Sequence, residues 1–157
     1  MADYVLERRL WLPRARPEVF EFFADPRNLP AVAPAWARPR WLAEPPRRLE
    51  AGALLDFAVP LAGLSVRWRV IVREFDPPFR FVDAQLWGPF ARWEHRHRFL
   101  EPDAAGGDAP GTWLEDRVTY RLPLGPLGRA AHALAVGRRI REIFDFRDRR
   151  LAERFGS

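Results

Sequence analysis

Several residue types are scarce or missing, and each absence excludes a class of chemistry. The sequence contains no cysteine, which excludes disulfides, thiol catalysis and cysteine-ligated metals. Its only serines are Ser65 and Ser157. Ser65 has the outward parity of a predicted strand and Ser157 is terminal, so a Ser–His–Asp triad is not expected. The segment 125–128 precedes a predicted helix but lacks the lysine and the spacing of a phosphate-binding P-loop.

Long apolar runs are also missing. No segment approaches the roughly 20 apolar residues that a membrane span needs, so we expect no stable membrane insertion. The first residues lack the basic and then apolar layout of a signal peptide. These features predict a cytoplasmic protein.

Lysine is absent, so arginine alone carries the positive charge behind the net value of +5. Several arginines fall on predicted strands, interleaved with Glu94 and Glu115, which is typical of a solvated sheet face. Because no groove-reading motif accompanies the charge, we expect no nucleic-acid partner. An alternative use of this arginine-rich convex face is docking to another protein or to a membrane.

The chain is long enough and apolar enough for one folded domain over residues 1–157. Of its 157 residues 48% are hydrophobic and 13% are aromatic, which is incompatible with a disordered chain. Residues 4–12 predict a first strand, and two short helices follow, near Pro17 and before Pro34. The alternation then predicts six more strands, separated by turns or by the loop 103–111, at 37–44, 53–60, 64–75, 79–87, 91–100 and 112–122.

From Pro126 onward the apolar period becomes helical. One stripe, at spacings of three and four, contains Val136, Ile140, Ile143, Phe144, Arg147 and Leu151. A long helix and an antiparallel sheet each have an apolar face that the other can cover. The sequence therefore predicts an α+β fold, in which a curved seven-stranded antiparallel sheet wraps around a long C-terminal helix.

The most informative strand is 91–100. Its even positions are charged and must face water, namely Arg92, Glu94, Arg96 and Arg98. Side chains alternate across a strand, so the odd positions point inward, namely Trp93, His95, His97 and Phe99. Two histidines between aromatic rings are more typical of a lined pocket than of a plain core.

The same alternation places further polar groups on the apolar inner face. They are Asp83, Gln85, Asp116 and Tyr120, with Arg147 facing them from the helix stripe. Burying these groups costs several kcal/mol unless they satisfy one another or meet a ligand. Two interpretations stay open: an internal network that sets the sheet register, or a cavity that orients the polar end of an apolar molecule.

The same residues suggest two more specific functions, metal binding and general acid–base catalysis. His95 and His97, with Asp83 or Asp116, suit zinc or iron, but a metal needs further close ligands and hydrogen-bonded histidines are commoner. We therefore expect no metal and no cofactor. General acid–base catalysis by His95 or His97, oriented by an aspartate, needs an enclosed substrate.

Residues along the whole chain resemble the START-like superfamily, also called the helix-grip or SRPBCC fold, in its bacterial polyketide cyclase and lipid-transport branch. The resemblance is carried by the first-helix pattern from Pro17 to Leu29, by the turn at Gly88–Phe90, and by a later set. That set is Trp93, His95, His97, Asp116, Tyr120, Pro123, Gly125, Phe144 and Arg147. The resemblance implies a deep hydrophobic cavity between sheet and helix, holding lipids, polyketides or other hydrophobic molecules.

We therefore expect a protein that binds or carries a hydrophobic small molecule and is monomeric or weakly dimeric. The alternative is a cyclase or dehydratase that uses a His/Asp pair in the same cavity. The catalytic candidates in that case are His95, His97, Asp83 and Asp116. The predicted ligand-binding residues are Trp68, Phe81, Asp83, Gln85, Trp87, Trp93, His95, His97, Phe99, Asp116, Tyr120, Ile140, Phe144 and Arg147. Leu61 and Leu64, in the predicted turn before strand 64–75, are a candidate lid over the cavity mouth.

Overall fold

A computed structural model describes residues 2–102 and 110–156, so most of the predicted loop 103–111 lies outside the described residues. Seven strands are present, β1 Tyr4–Leu12, β2 Arg40–Trp41, β3 Leu54–Leu61, β4 Leu64–Asp76, β5 Arg80–Trp87, β6 Arg92–Leu100 and β7 Thr112–Arg121. The helical elements are α1 Arg16–Ala24, 3-10 segments at Pro26–Val32 and Ala35–Ala37, α2 Gly125–Ala131, a π turn at His132–Val136, and α3 Gly137–Phe155.

The seven strands form one antiparallel sheet in the order β1-β7-β6-β5-β4-β3-β2. Strands β2 to β7 follow chain order, and β1 pairs with β7, with Tyr4 opposite Tyr120 and Leu12 opposite Thr112. The inner face of this sheet carries the apolar residues and packs against α1 and α3. The predicted α+β architecture with a long C-terminal helix is confirmed, and the two short helices predicted after β1 correspond to α1 and two 3-10 segments.

The predicted stripe on the C-terminal helix faces the sheet. Ile140, Phe144, Arg147 and Leu151 are all buried, as expected for positions three or four residues apart on one helix face. The predicted long C-terminal helix is confirmed, since α2, the π turn and α3 run without a break from Gly125 to Phe155. Among the described residues, no helix is long and apolar enough to cross a membrane.

The core is densest at the end of the sheet where α1 crosses it. Phe20 is completely buried, and its ring lies 5.4 Å from that of Phe75, 6.1 Å from that of Phe81 and 5.0 Å from that of Phe99. A second, smaller cluster around Val118, at the opposite end, packs β7 against the start of α3. Residues of both clusters line the cavity described below.

The predicted strand 37–44 is much shorter in the structure. Only Arg40 and Trp41 pair with β3, and Ala35–Ala37 form a 3-10 turn instead. Proline has no backbone N–H to donate to a sheet. Pro34 and Pro39 therefore limit pairing on this edge of the sheet.

The predicted inward position of Trp87 is wrong, because this residue is 58% exposed. The register of β4 with β5 shifts at this point, since Arg69 pairs with Trp87 but the next residue, Val70, pairs with Gln85. Leu86 is thus an extra residue in β5. Such a bulge bends the strand and redirects its side chains, which breaks the simple alternation used to predict Trp87.

Candidate ligand-binding cavity

A cavity of about 270 Å³ lies between the inner face of the sheet, the segment after α1, and α3. Its apolar walls come from four regions of the chain. They are the α1 end and 3-10 segment (Phe22, Phe23, Leu29, Val32), strands β3 and β4 (Leu55, Phe57, Val59, Trp68, Val70), strands β5 and β6 with their turn (Phe81, Phe90, Trp93), and α3 (Ile140, Ile143, Phe144).

Three aromatic rings form one side of the cavity. Trp68 on β4 stands edge-on to Trp93 on β6, with the ring centroids 5.1 Å apart, and Phe90 lies 4.9 Å from Trp93. Aromatic rings in such tilted or edge-to-face pairs gain additional attraction beyond their burial. This wall is therefore a fixed aromatic surface facing the cavity.

The turn between β5 and β6 holds this aromatic wall in place. Gln85 donates from Nε2 to the carbonyl of Phe90 over 2.7 Å, and its Oε1 accepts from the Phe90 N–H. A Cβ at Gly88 would lie 2.6 Å from the Gln85 side chain and 2.7 Å from Trp68. Any side chain at position 88 would therefore force Gln85 and Trp68 to move.

Polar side chains reach the cavity in one main patch, formed by Asp83, His95, His97 and Arg147. Two further polar residues line the wall, but each is used by its own segment. Asp25 accepts hydrogen bonds from the backbone and side chain of Arg27, and the Asn28 amide donates to the Phe22 carbonyl. The patch is thus the main polar surface that a bound molecule would meet.

The patch is built on cross-strand neighbours. Asp83 on β5 lies opposite His95 on β6, and His97 lies opposite Asp116 on β7. His95 Nε2 is 2.8 Å from Asp116 Oδ1, and His97 Nε2 is 2.9 Å from Asp83 Oδ2. Arg147 reaches from α3 and donates to both oxygens of Asp116, over 2.6 and 3.0 Å. The Asp116 carboxylate, which lies behind the cavity wall, therefore holds both His95 and Arg147 in place.

The rings of the patch are stacked as well as hydrogen-bonded. The ring of His97 lies between those of His95 and Phe81, with centroid distances of 3.6 and 4.0 Å. The Arg147 guanidinium lies 5.1 Å from the ring centroid of Phe23 and 5.3 Å from that of Phe144. These contacts pack the polar side chains closely against one another and against the aromatic rings of the wall.

Burial and neighbouring charges shift the pKa values of the residues in the patch in different directions. Burial raises the pKa of Asp116, but the Arg147 charge and the hydrogen bonds from the histidines outweigh it and hold that pKa well below its usual value. Burial, together with the nearby charge of His97, lowers the pKa of His95. Burial also acts on His97, but its contacts with Asp116, 3.4 Å from Nδ1, and with Asp83 outweigh it and raise the pKa.

Nine of the predicted ligand-binding residues lie on the cavity wall, and five do not. Those on the wall are Trp68, Phe81, Asp83, Trp93, His95, His97, Ile140, Phe144 and Arg147. Those elsewhere are Gln85, Trp87, Phe99, Asp116 and Tyr120. Whether the nine bind a ligand stays a prediction.

The residues off the wall are displaced for different reasons. Trp87 is exposed because of the bulge, and Gln85 is used to hold the β5–β6 turn. Phe99 shares the face of His97 but is completely buried in the core, further along β6. Asp116 lies behind the histidines. The Tyr120 hydroxyl is 2.6 Å from His132 Nε2 and belongs to the smaller cluster.

Sequence reasoning missed several wall residues. Phe57 and Val59 have the inward parity of β3, and the alternation used for the other strands applies to them equally. Phe23, Leu29 and Val32 lie in short helical segments bounded by prolines. No regular period marks those three positions as cavity residues.

The candidate lid lies at the tip of the β3–β4 hairpin. Leu61 and Leu64 are directly paired there and are both exposed. Neither contributes to the cavity wall in this structure, so a role as a lid stays a prediction.

Comparison with known proteins places the fold among those of known structure. A START superfamily protein from Mycobacterium smegmatis matches with a TM-score of 0.67 and 16% identity, over 95% of this chain and 97% of that one. A protein from Thermus thermophilus matches with a TM-score of 0.67 and 19% identity, over 97% and 98%. Norcoclaurine synthase from Thalictrum flavum, in complex with dopamine and hydroxybenzaldehyde, matches with a TM-score of 0.64 and 11% identity, over 97% and 88%.

These likenesses show a shared START-like, helix-grip fold. No curated protein matches the chain significantly. The sequence profile described as polyketide cyclase / dehydrase and lipid transport matches residues 12–144, which is most of the chain. The chain therefore belongs to the polyketide cyclase/dehydrase and lipid-transport family of START-like proteins.

Proposed function

We propose that this protein binds a compact hydrophobic small molecule in the cavity between the sheet and α3, with the molecule's polar end against Asp83 and His95. One observation carries the proposal. An apolar wall rich in aromatic rings contains one main polar patch, supported from behind by Asp116. Walls of this kind, with a few placed polar groups, are typical of small-molecule sites.

The charges of the patch favour a ligand with a neutral polar group. The positive charge of Arg147 is matched by Asp116 through two hydrogen bonds, so neither needs a ligand as counter-ion. Asp83 accepts from His97 through one oxygen only, and among the described residues Nδ1 of His95 has no hydrogen-bond partner. Both groups accept hydrogen bonds, so a hydroxyl or a phenol, which donates one, suits them.

The size of the cavity favours a compact ligand. Its volume of about 270 Å³ lies just below the range of roughly 300–1,000 Å³ for sites of drug-sized ligands. The rings of Trp68, Phe90 and Trp93 offer faces and edges for an aromatic ligand. The family description, which covers both cyclases and lipid transport, and the aromatic molecules bound by norcoclaurine synthase support this class of ligand.

A matched pair of variants tests whether binding takes place in the cavity. Ile143 on α3 faces the cavity, whereas Ile71 on β4 has the opposite parity to the inward Val70 and is absent from the wall. Both isoleucines are half-buried. Ile143→Trp should fill the cavity with an indole ring, and Ile71→Trp should add the same ring to the outer face.

The probe is N-phenyl-1-naphthylamine, an apolar dye whose fluorescence rises in apolar sites. We expect one dye per chain, and we expect Ile143→Trp to weaken its binding at least about tenfold, which corresponds to ~1.4 kcal/mol. Ile71→Trp should bind as the unmodified protein does. Equal binding by both variants, or no binding by the unmodified protein, would contradict the proposal.

A further inference from the structure

The polar patch has a second property that the binding of an apolar molecule does not require. Asp83, His95 and His97 each offer one potential metal-ligand atom, and these atoms lie within 4.8 Å of one another. His97 Nε2 and Asp83 Oδ2 are 2.9 Å apart. Nitrogen and oxygen ligands bind zinc at about 2.0–2.2 Å, so adjacent ligand atoms around one ion are roughly 3 Å apart. An ion bound here replaces the proton that joins this pair, and the stacked rings of His95 and His97 turn so that each directs one nitrogen at the ion.

The residues behind the patch support a metal ligand at His95. Asp116 accepts from His95 Nε2 over 2.8 Å, which leaves Nδ1 as the nitrogen free to ligate. Metal-binding histidines commonly donate their other ring nitrogen to a carboxylate, which fixes the tautomer and the ring orientation. Arg147 holds Asp116 in turn, through both carboxylate oxygens. His95 thus has the supporting partner that a ligating histidine needs.

Charge and access also suit a divalent cation at this position. The charge of Arg147 is compensated by Asp116, and Asp83, whose partner is His97, can offset a cation that His97 binds as a neutral ligand. The three candidate ligands come from two adjacent strands and line the cavity. Further coordination positions would therefore open towards the cavity, as they do in sites with two histidines and one carboxylate.

We propose that Asp83, His95 and His97 form a mononuclear site for a first-row divalent transition metal such as Zn²⁺ or Fe²⁺, with open positions facing the cavity. The proposed site uses the same cavity as the proposed function but does not depend on an apolar ligand. The ligand set of two imidazoles and one carboxylate selects this class of ion over Mg²⁺ or Ca²⁺, which prefer oxygen ligands alone.

The test is metal binding by the full chain after dialysis against a chelator. Zn²⁺ is titrated by calorimetry, and Co²⁺, whose visible absorption reports nitrogen and oxygen ligands, is titrated by absorbance. We expect one ion per chain. Asp83→Asn and His97→Gln should abolish the Co²⁺ spectrum, and Asp116→Asn should weaken binding roughly 10- to 100-fold, as removal of a supporting carboxylate does elsewhere.

His132 provides the control, because it is the third histidine of the chain and lies with Tyr120 away from the cavity wall. His132→Gln should leave the stoichiometry and the spectrum unchanged. Circular dichroism and thermal melting establish that each variant is folded, and His97→Gln retains a side chain able to hydrogen-bond to Asp83. Three results would overturn the inference: no ion bound, binding undiminished in both Asp83→Asn and His97→Gln, or equal loss in His132→Gln.

The dye titration separates this inference from the proposed function. Metal-free protein that binds N-phenyl-1-naphthylamine but takes up neither Zn²⁺ nor Co²⁺ would overturn the metal site alone. Protein that binds one metal ion but no dye would overturn the proposed function alone.

Discussion

The buried pair of Arg147 and Asp116 gives the sharpest test of the site's energetics. Arg147 is 6% exposed and Asp116 is 3% exposed, and two hydrogen bonds of 2.6 and 3.0 Å join them. Arg147→Met keeps much of the side chain's length and apolar stem but removes the charge. Asp116 is then left as a buried carboxylate held only by a histidine.

The expected cost follows from this geometry. Removing one partner of a buried ion pair costs about 3–5 kcal/mol, because the remaining charge is uncompensated. For a chain of this size each kcal/mol lowers the melting temperature by roughly 2–4 °C. We therefore expect Arg147→Met to lower it by roughly 6–20 °C in a calorimetric or circular dichroism melt.

Two further variants make the result interpretable. The double variant Arg147→Met with Asp116→Asn removes both charges, and we expect it to recover part of the lost free energy of unfolding. Arg138→Met removes an arginine that pairs with Glu142 on the solvent side of α3, and such exposed pairs contribute little. An Arg147→Met protein that melts within about 1 °C of the Arg138→Met control would refute the buried-pair reasoning.

Three other predictions concern the cavity wall near Gly88, the tip of the β3–β4 hairpin, and the salt dependence of dye binding. Gly88→Ala should cost about 1–3 kcal/mol in a urea melt, because its Cβ would overlap Gln85 and Trp68; unchanged stability would contradict the close approach. If Leu61 and Leu64 act as a lid, replacing both by glycine should speed dye release in stopped-flow fluorescence; an unchanged release rate would reject the lid. Dye affinity should be nearly independent of salt, because the dye is uncharged and the cavity is apolar; a steep fall with added salt would contradict binding in the cavity.

The parts of the fold that follow a regular period could be predicted from the sequence. In β6 each outward position is charged, so parity assigns His95 and His97 to the inner face with little ambiguity, and both are buried there. The stripe through Phe144 and Arg147 is equally clear. Parity along a strand and spacing along a helix are local properties, which the sequence contains directly.

Features that depend on distance along an element, or on a break in its period, could not be predicted in this way. Phe99 and His97 have the same parity, yet one lies in the core and the other on the cavity wall. Trp87 follows a bulge that parity does not reveal. Tyr120 meets His132 only because a π turn places that histidine against β7. The extent of the cavity likewise depends on how α3 packs.

Native mass spectrometry of the protein as purified, followed by solvent extraction of whatever it carries, tests directly whether the cavity holds a hydrophobic small molecule. We expect one bound molecule per chain, of roughly a few hundred daltons, which N-phenyl-1-naphthylamine displaces and which Ile143→Trp excludes. A bare chain mass, together with no uptake of the dye, would contradict it and indicate a closed polar network instead of a binding site.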